Sequence, residues 1–341
     1  MLRPESLSSN LALLPSQPAK VSWPTEHWPR SELETGEIAG LADEIFDLTG
    51  SQGVTYALLI VKEGKLLLER YNAGANGFYL QYSWSMAKSI THALVGILVR
   101  QERLDIYEPA NVPEWQDDAR SKITLDQLLR MSSGLEFAEE YTEDQDSDVI
   151  PMLQFEGRHD VGAYAASKPL IHDPGSFWSY SSGTTNIICR ILKVVVGNGA
   201  SGMLEFMEKE LFGPIGIRTA TPKFDTSGTF IGSSYLMASP QDFARFGPLY
   251  LRNGVWDGRE ILPEGWVDYA RTPTYKDDEQ CYGAQWWMVP DKPEWFYCGG
   301  YDGQRILCIP EKDAVLVRCG RTPIEEAPYV MDRLNTIGEL L

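Results

Sequence analysis

The chain has 341 residues, 43% hydrophobic and 23% charged, which are ordinary globular proportions and exclude a disordered or fibrous protein. Thirty Lys and Arg stand against 48 Asp and Glu, a formal charge of −18; such a surface repels phosphate, so no nucleic acid and no anionic membrane is expected as a partner. The apolar stretch Ser89–Val99 is only 11 residues long, short of the ~18 that span a bilayer.

The length fits one large domain or two intertwined ones. Five cysteines, Cys189, Cys281, Cys298, Cys308 and Cys319, are odd in number and contain no CxxC, which predicts reduced core thiols and not a disulfide framework. The N-terminal MLRPESLSSNLALLP carries an acidic residue and an early proline, poor features for a signal peptide. Together these predict a cytoplasmic protein.

In chain order, residues 1–30 are rich in Pro and Ser and predict a loosely packed leader. Leu33, Ile38, Leu41, Ile45 and Leu48 fit a helical stripe. Tyr56–Val61 and Leu66–Glu69, around Glu63-Gly64, predict a β-hairpin. A helix apolar on nearly all sides, hence buried, is expected from about Ser85 to Arg100. Thr124–Met131 predicts a capped helix ended by Ser132-Ser133-Gly134, and residues 136–148 a loop. Helices follow at Asn186–Val196, Gly202–Leu211 and Pro240–Arg252, strands at Gln285–Val289, Gln304–Ile309 and Ala314–Cys319, and a last helix at Tyr329–Leu341.

Strands at both ends with helices between predict an α+β fold. One antiparallel sheet flanked by helices is closed by the two ends of the chain, with an all-helical region inserted. The expected division is a sheet domain of residues 30–104 and 240–341 and a helical domain of residues 105–239, with the active site at their interface.

Several chemistries are excluded. The four histidines, His27, His92, His159 and His172, form no HExxH and adjoin no Cys pair, so no zinc site is expected. There is no GxSxG elbow and no P-loop. Gly197–Gly202 matches GxGxxG, but Ile187, Ile188, Ile191, Leu192 and Val195 before it are spaced as a helix, which predicts a helix–helix turn.

Ser85-Met86-Ala87-Lys88 opens the buried helix. A spacing of three puts the serine and the lysine on one face of its first turn. A lysine desolvated there has its pKa pushed down and can accept a proton, which makes Ser85 a nucleophile and Lys88 its base. An ordinary surface Ser and Lys is the plainer alternative, but a stray lysine in so apolar a helix would be costly. Tyr180, in PGSFWSYSSGTTN, is a second acid/base candidate that a nearby Lys88 would partly ionise; a core tyrosine is the alternative. Cys298-Gly299-Gly300-Tyr301 leads into a strand. Small residues on an edge strand let a substrate approach, and the Tyr301 N–H could face an oxyanion; a glycine-rich turn is the alternative.

SxxK at the head of a buried helix, YSS about a hundred residues later and a small-Gly segment on a late strand together resemble the serine β-lactamase and penicillin-binding superfamily. The likeness covers residues 50–320, supported by Ile123–Leu135, Pro174–Asn186, Leu211–Ile217 and Gly254–Trp266. Within it, the WSMAKS, YSSGTTN and GxxGQ segments are most similar to the class C-like branch that contains esterases and 6-aminohexanoate-dimer hydrolase.

The resemblance implies Ser85 as acylated nucleophile, Lys88 as proton acceptor and Tyr180 as the acid that protonates the leaving group. It implies an oxyanion hole from the N–H groups of Ser85 and Tyr301 beside Gly300. Ser182 stands where many relatives carry Asn to orient substrate. Cys298-Gly299-Gly300 replaces a cationic Lys-Thr-Gly; a neutral cysteine cannot attract a substrate carboxylate, so poor β-lactam activity is expected unless Arg305 or another cation substitutes. No metal or organic cofactor is implied.

The loop carboxylates Glu136, Glu139, Glu140, Glu143, Asp144, Asp146 and Asp148 either attract a substrate ammonium or form a solvated face, the commoner fate. Trp178, Trp286 and Trp287 either wall an acyl pocket or pack in the core. The expected function is hydrolysis of a small-molecule ester or linear amide through an acyl-enzyme. A β-lactamase or D-alanyl peptidase, and a slow or non-catalytic penicillin-binding-like sensor, are the alternatives.

Overall fold

Alternation along the strands divides the hydrophobic side chains between two cores on opposite faces of one sheet. A computed structural model describes residues 11–33, 36–141 and 146–341. Helix α1 (Gly36–Phe46) buries Ile38, Ala42 and Ile45. Strand β1 (Val54–Lys62) and β2 (Lys65–Tyr71) form an antiparallel hairpin. Its turn residues Glu63 and Gly64 lie at φ 50° and 73°, the left-handed pair that suits the twist of two strands. Helix α2 (Ala87–Arg100) has every residue from Ala87 to Leu98 buried. Further on come α3 (Leu125–Leu129), α4 (Ser182–Val196), α5 (Gly199–Met207) and α6 (Pro240–Leu251). The strands β3 (Tyr275–Lys276), β4 (Cys281–Tyr282), β5 (Trp287–Val289), β6 (Lys292–Gly300), β7 (Gln304–Ile309) and β8 (Ala314–Arg321) follow, and α7 (Ala327–Leu340) ends the chain.

The eight strands make one sheet in the order β2-β1-β8-β7-β6-β5-β4-β3, with every pair antiparallel. Strand β1 pairs with β2 on one side and with the last strand, β8, on the other, so the two ends of the sequence meet in one sheet as expected. Leu58, Ile60, Leu307, Ile309, Ala314 and Leu316 join α1 and α7 in one core. Their neighbours Ala57, Leu59, Val61, Ile306, Cys308, Val315 and Val317 join the larger core with α2, α4 and α6. This two-residue period is the signature of a sheet covered on both faces.

The helix α3 begins with a capping box: the Gln127 N–H donates to the Thr124 hydroxyl at 3.2 Å and the Thr124 N–H to the Gln127 side chain at 2.9 Å. Helix α4 starts at Ser182, four residues before the predicted start, because the Ser181 hydroxyl accepts the Thr184 N–H at 3.0 Å. The GxGxxG segment is a helix–helix turn: Gly197, Asn198 and Gly199, at φ 83°, 59° and 57°, join α4 to α5. Strand β6 is not among the predicted strands, because Pro293 and Glu294 interrupt its apolar pattern; Phe296 and Tyr297 pair with both neighbours.

The leader is not loosely packed over residues 11–30. Buried arginines bind its carbonyl groups: Arg271 donates to Ala12 at 2.5 Å and Arg245 to Pro24 at 2.7 Å. The Trp256 indole donates to the Thr25 hydroxyl at 2.8 Å. Interior guanidinium groups need acceptors, and an extended Pro-rich segment with free carbonyls supplies them. All five cysteines are buried and unpaired. Among the described residues no single helix is long and apolar enough to cross a membrane.

Candidate active site

Ser85 lies in a single 3-10 turn, Trp84–Met86, that feeds directly into α2. Its predecessor Trp84 is at φ 43°, a left-handed conformation that a bulky residue adopts only when its surroundings enforce it. The Ser83 N–H donates to the Leu236 carbonyl at 2.8 Å, and the Leu236 N–H returns to the Ser83 hydroxyl at 3.1 Å. The Trp84 ring packs against Tyr82, Tyr235 and Tyr301. These contacts hold the serine at the head of the helix while leaving it half-buried at a cleft.

One turn along, Lys88 is 2% exposed. Its Nζ lies 3.1 Å from Ser85 Oγ, 3.0 Å from Ser182 Oγ and 3.0 Å from the Ser233 carbonyl oxygen. It also stands 4.7 Å from the centre of the Tyr180 ring. Burial pushes its pKa down to about 8, against the opposing attraction of Glu139. A fraction of the lysine is therefore a neutral amine near neutral pH, next to a serine hydroxyl.

Ser182, the first residue of α4, is fully buried and lies beneath the cleft. Its N–H and hydroxyl both reach the Glu139 carboxylate, at 2.7 and 2.5 Å. The Tyr141 hydroxyl donates to the same Glu139 oxygen at 2.5 Å. Glu139 therefore has a dedicated place in the site and is not part of a solvated acidic face. Asp148 is also committed, accepting the Ala138 N–H at 2.8 Å and pairing with Lys168. Glu143 and Asp144 lie outside the described residues.

Tyr180 joins Ser85 and Lys88, but not in the ionised form. Burial and the Glu139 charge raise its pKa, outweighing contact with Ser85. Lys88 meets the face of its ring and not its oxygen. The raised pKa favours the protonated phenol of Tyr180.

The cleft holds about 380 Å³ and is lined by Ser85, Tyr180, Trp287, Gly300, Tyr301 and Arg305, among others. Gly299 and Gly300 pair with Arg305 and Gln304 of β7 on one side. The β5 pairing reaches only Tyr297, so the last residues of β6 present a free edge. Trp287 walls the cleft; Trp286 is in the core against Tyr250 and Phe296. Trp178 stacks on Tyr275 and meets Trp287 edge-on. Cys298 points into the core, where burial raises its pKa. Arg305 donates to the Gln304 carbonyl at 2.8 Å and lies 5.1 Å from the Tyr297 ring centre. No carboxylate among the described residues pairs with it.

The sequence pattern missed the assignment of Glu139. No motif distinguishes it from the other acids of its loop, and only the approach of α4 selects it. Among the described residues no group of three or more His, Cys, Asp or Glu could hold a metal ion.

A family model described as Beta-lactamase matches residues 43–329. The 6-aminohexanoate-dimer hydrolase of Paenarthrobacter ureafaciens is 25% identical over 290 residues, 79% of this chain and 73% of that protein. A solved structure from Bacillus anthracis, provisionally assigned as a 6-aminohexanoate-dimer hydrolase, superimposes with a TM-score of 0.77 at 22% identity and covers 96% of this chain and 90% of its own. A family VIII carboxylesterase does so with a TM-score of 0.67 at 12% identity, covering 88% and 96%.

Proposed function

The chain belongs to the beta-lactamase family, a family of hydrolases, and from that premise and the geometry of the cleft we propose a serine hydrolase that cleaves small carboxylic esters or linear amides through an acyl-enzyme on Ser85. The observation that carries this reading is the 3.1 Å approach of the buried Lys88 amine to the Ser85 hydroxyl. Neutral Lys88 takes the hydroxyl proton as Ser85 Oγ bonds to the substrate carbonyl carbon. The N–H groups of Ser85 and Tyr301 stabilise the oxyanion. Tyr180 gives its phenolic proton to the departing alkoxide or amine and is reprotonated with the proton that Lys88 took. Water then gives a proton to neutral Lys88 as its oxygen bonds to the acyl carbon; the bond from that carbon to Ser85 Oγ breaks, Oγ takes the proton back from Lys88, and the acid leaves. The five reduced core thiols support the cytoplasm as its compartment.

The similarity to a 6-aminohexanoate-dimer hydrolase and to a carboxylesterase supports amides and esters, and Cys298 supplies no cation at the head of the edge-strand segment. Arg305 is the observation that favours a second reading, a β-lactamase or D-alanyl peptidase that binds a substrate carboxylate. The test is turnover of p-nitrophenyl butyrate, a linear amide and nitrocefin, with the adduct mapped by mass spectrometry. Ester or amide turnover with an adduct on Ser85, abolished by Ser85→Ala, is expected. Nitrocefin turnover alone would favour the second reading. Stoichiometric labelling without turnover would indicate a slow penicillin-binding sensor, and no adduct on Ser85 would overturn the proposal.

A further inference from the structure

We propose that Glu139 is a positioning residue that, through the Ser182 hydroxyl, sets the direction in which the Lys88 amine accepts a proton. The inference rests on the serine hydrolase reading above.

A neutral lysine amine has two N–H donors and one lone pair. Lys88 has three oxygen neighbours at 3.0 to 3.1 Å: the Ser233 carbonyl, Ser182 Oγ and Ser85 Oγ. The carbonyl can only accept. Each of the two hydroxyls could donate to the lone pair, so the triad by itself does not say which serine is deprotonated. Glu139 resolves this. An ionised carboxylate only accepts, and it takes the Ser182 hydroxyl proton at 2.5 Å while its other oxygen takes the Ser182 N–H at 2.7 Å. With its proton committed, Ser182 Oγ must accept from Lys88. Both N–H groups of the neutral amine are then used, on Ser182 and Ser233, and the lone pair is left facing the Ser85 hydroxyl. Because burial isolates Ser182 and Lys88, water cannot easily supply an alternative partner.

The charge of Glu139 also acts on Lys88, partly opposing the effect of burial. The other groups facing the amine are the Tyr180 ring, the Cys189 thiol of α4 and the Ser85 hydroxyl. Arg305 meets Tyr180 from β7 and Tyr141 holds Glu139 from its own loop. Among the described residues, Glu139 is the carboxylate that bears on this lysine.

Glu139→Gln keeps the shape but has one acceptor oxygen for two Ser182 donors, and no charge. The experiment measures the acylation burst with p-nitrophenyl butyrate against pH for the parent, Glu139→Gln, Glu139→Asp, Ser182→Ala and Glu139→Gln/Ser182→Ala. Rates are expressed per site titrated by a fluorophosphonate, so misfolded protein does not count. Glu139→Gln and Ser182→Ala are each expected to acylate about tenfold to a hundredfold more slowly, the scale of a misdirected reacting group. The double variant should be no slower than the slower single one. In Glu139→Gln the acid limb should move to lower pH, because a negative charge beside the lysine is gone; Glu139→Asp should restore the limb and part of the rate. A parental rate in Glu139→Gln, an unmoved acid limb or multiplying losses in the double variant would overturn the proposal. A parent without a burst would instead overturn the serine hydrolase reading.

Discussion

Gly300 faces the carbonyl of Ser83 so closely that a methyl group on its Cα would overlap that oxygen. The end of β6 and the turn carrying Ser85 are therefore backbone against backbone, and the free edge of the strand stands beside that serine. Gly300→Ala must push the two apart. Acylation of p-nitrophenyl butyrate should fall by about a hundredfold, the cost of displacing reacting groups by about 1 Å. Circular dichroism should show an intact fold. Gly299→Ala, whose added carbon meets only side-chain atoms at 3.2 to 3.4 Å, should lose much less.

Lys88 must be neutral to accept a proton, and its pKa is depressed from 10.5 to about 8. Acylation should rise with pH and level off above about 8, falling toward tenfold per unit on the acid side. A rate flat across that range would remove Lys88 from the role of base. Lys88→Ala should lower the chemical step by about two to four orders of magnitude, measured as burst rate per titrated site.

The same depressed pKa affects stability. The unfolded chain binds the Lys88 proton between pH 8 and 10.5 while the folded chain has lost it, so this group's contribution to stability rises with pH through that window and is least below it. At pH 7 the penalty is up to about 3 kcal/mol. Lys88→Met should therefore stabilise the protein at neutral pH, less the lost hydrogen bonds, while abolishing acylation. Urea denaturation at pH 7 and pH 10, where the difference between parent and variant should shrink, checks this.

Arg318 is fully buried and supports the turn after Gly300. It donates to the Asp302 and Gly303 carbonyls at 2.9 and 3.2 Å, and to Thr322 Oγ1 at 2.7 Å. Arg318→Ala takes the guanidinium donors from these acceptors and from Thr55 and Val54 on β1, leaving the Asp302 carbonyl only the Thr322 N–H. The expected loss is about 1 to 3 kcal/mol for each buried acceptor left without a donor, read as a shift of the urea midpoint. Acylation per titrated site should fall as well, because the turn bearing Tyr301 is released.

The cysteines should be silent in the native protein. Burial raises the thiol pKa of Cys189 to about 12, and Cys298 and Cys308 are raised for the same reason. Iodoacetamide at pH 8 should modify none of the five until denaturant is added, as counted by intact mass. Rapid native modification of Cys298 would place it in the cleft and not in the core.

The sequence alone determined the hairpin at Glu63-Gly64, the buried α2 and the capped α3, because those features are set by neighbours within a few residues: turn dihedrals, a helical apolar period and a side chain reaching its own backbone. It also determined that Ser85 and Lys88 meet, since one helical turn fixes their separation. Tertiary structure decided the rest of the site. Only the docking of α4 brings Ser182 beneath Lys88, and only the packing of the loop against it singles out Glu139 from the acids around it. The same packing keeps Tyr180 protonated, turns Cys298 away from the cleft and draws the leader onto buried arginines. Contacts between residues far apart in the chain depend on which faces come together, and burial then sets the charge state of each group. Neither is contained in the local spacing of residue types.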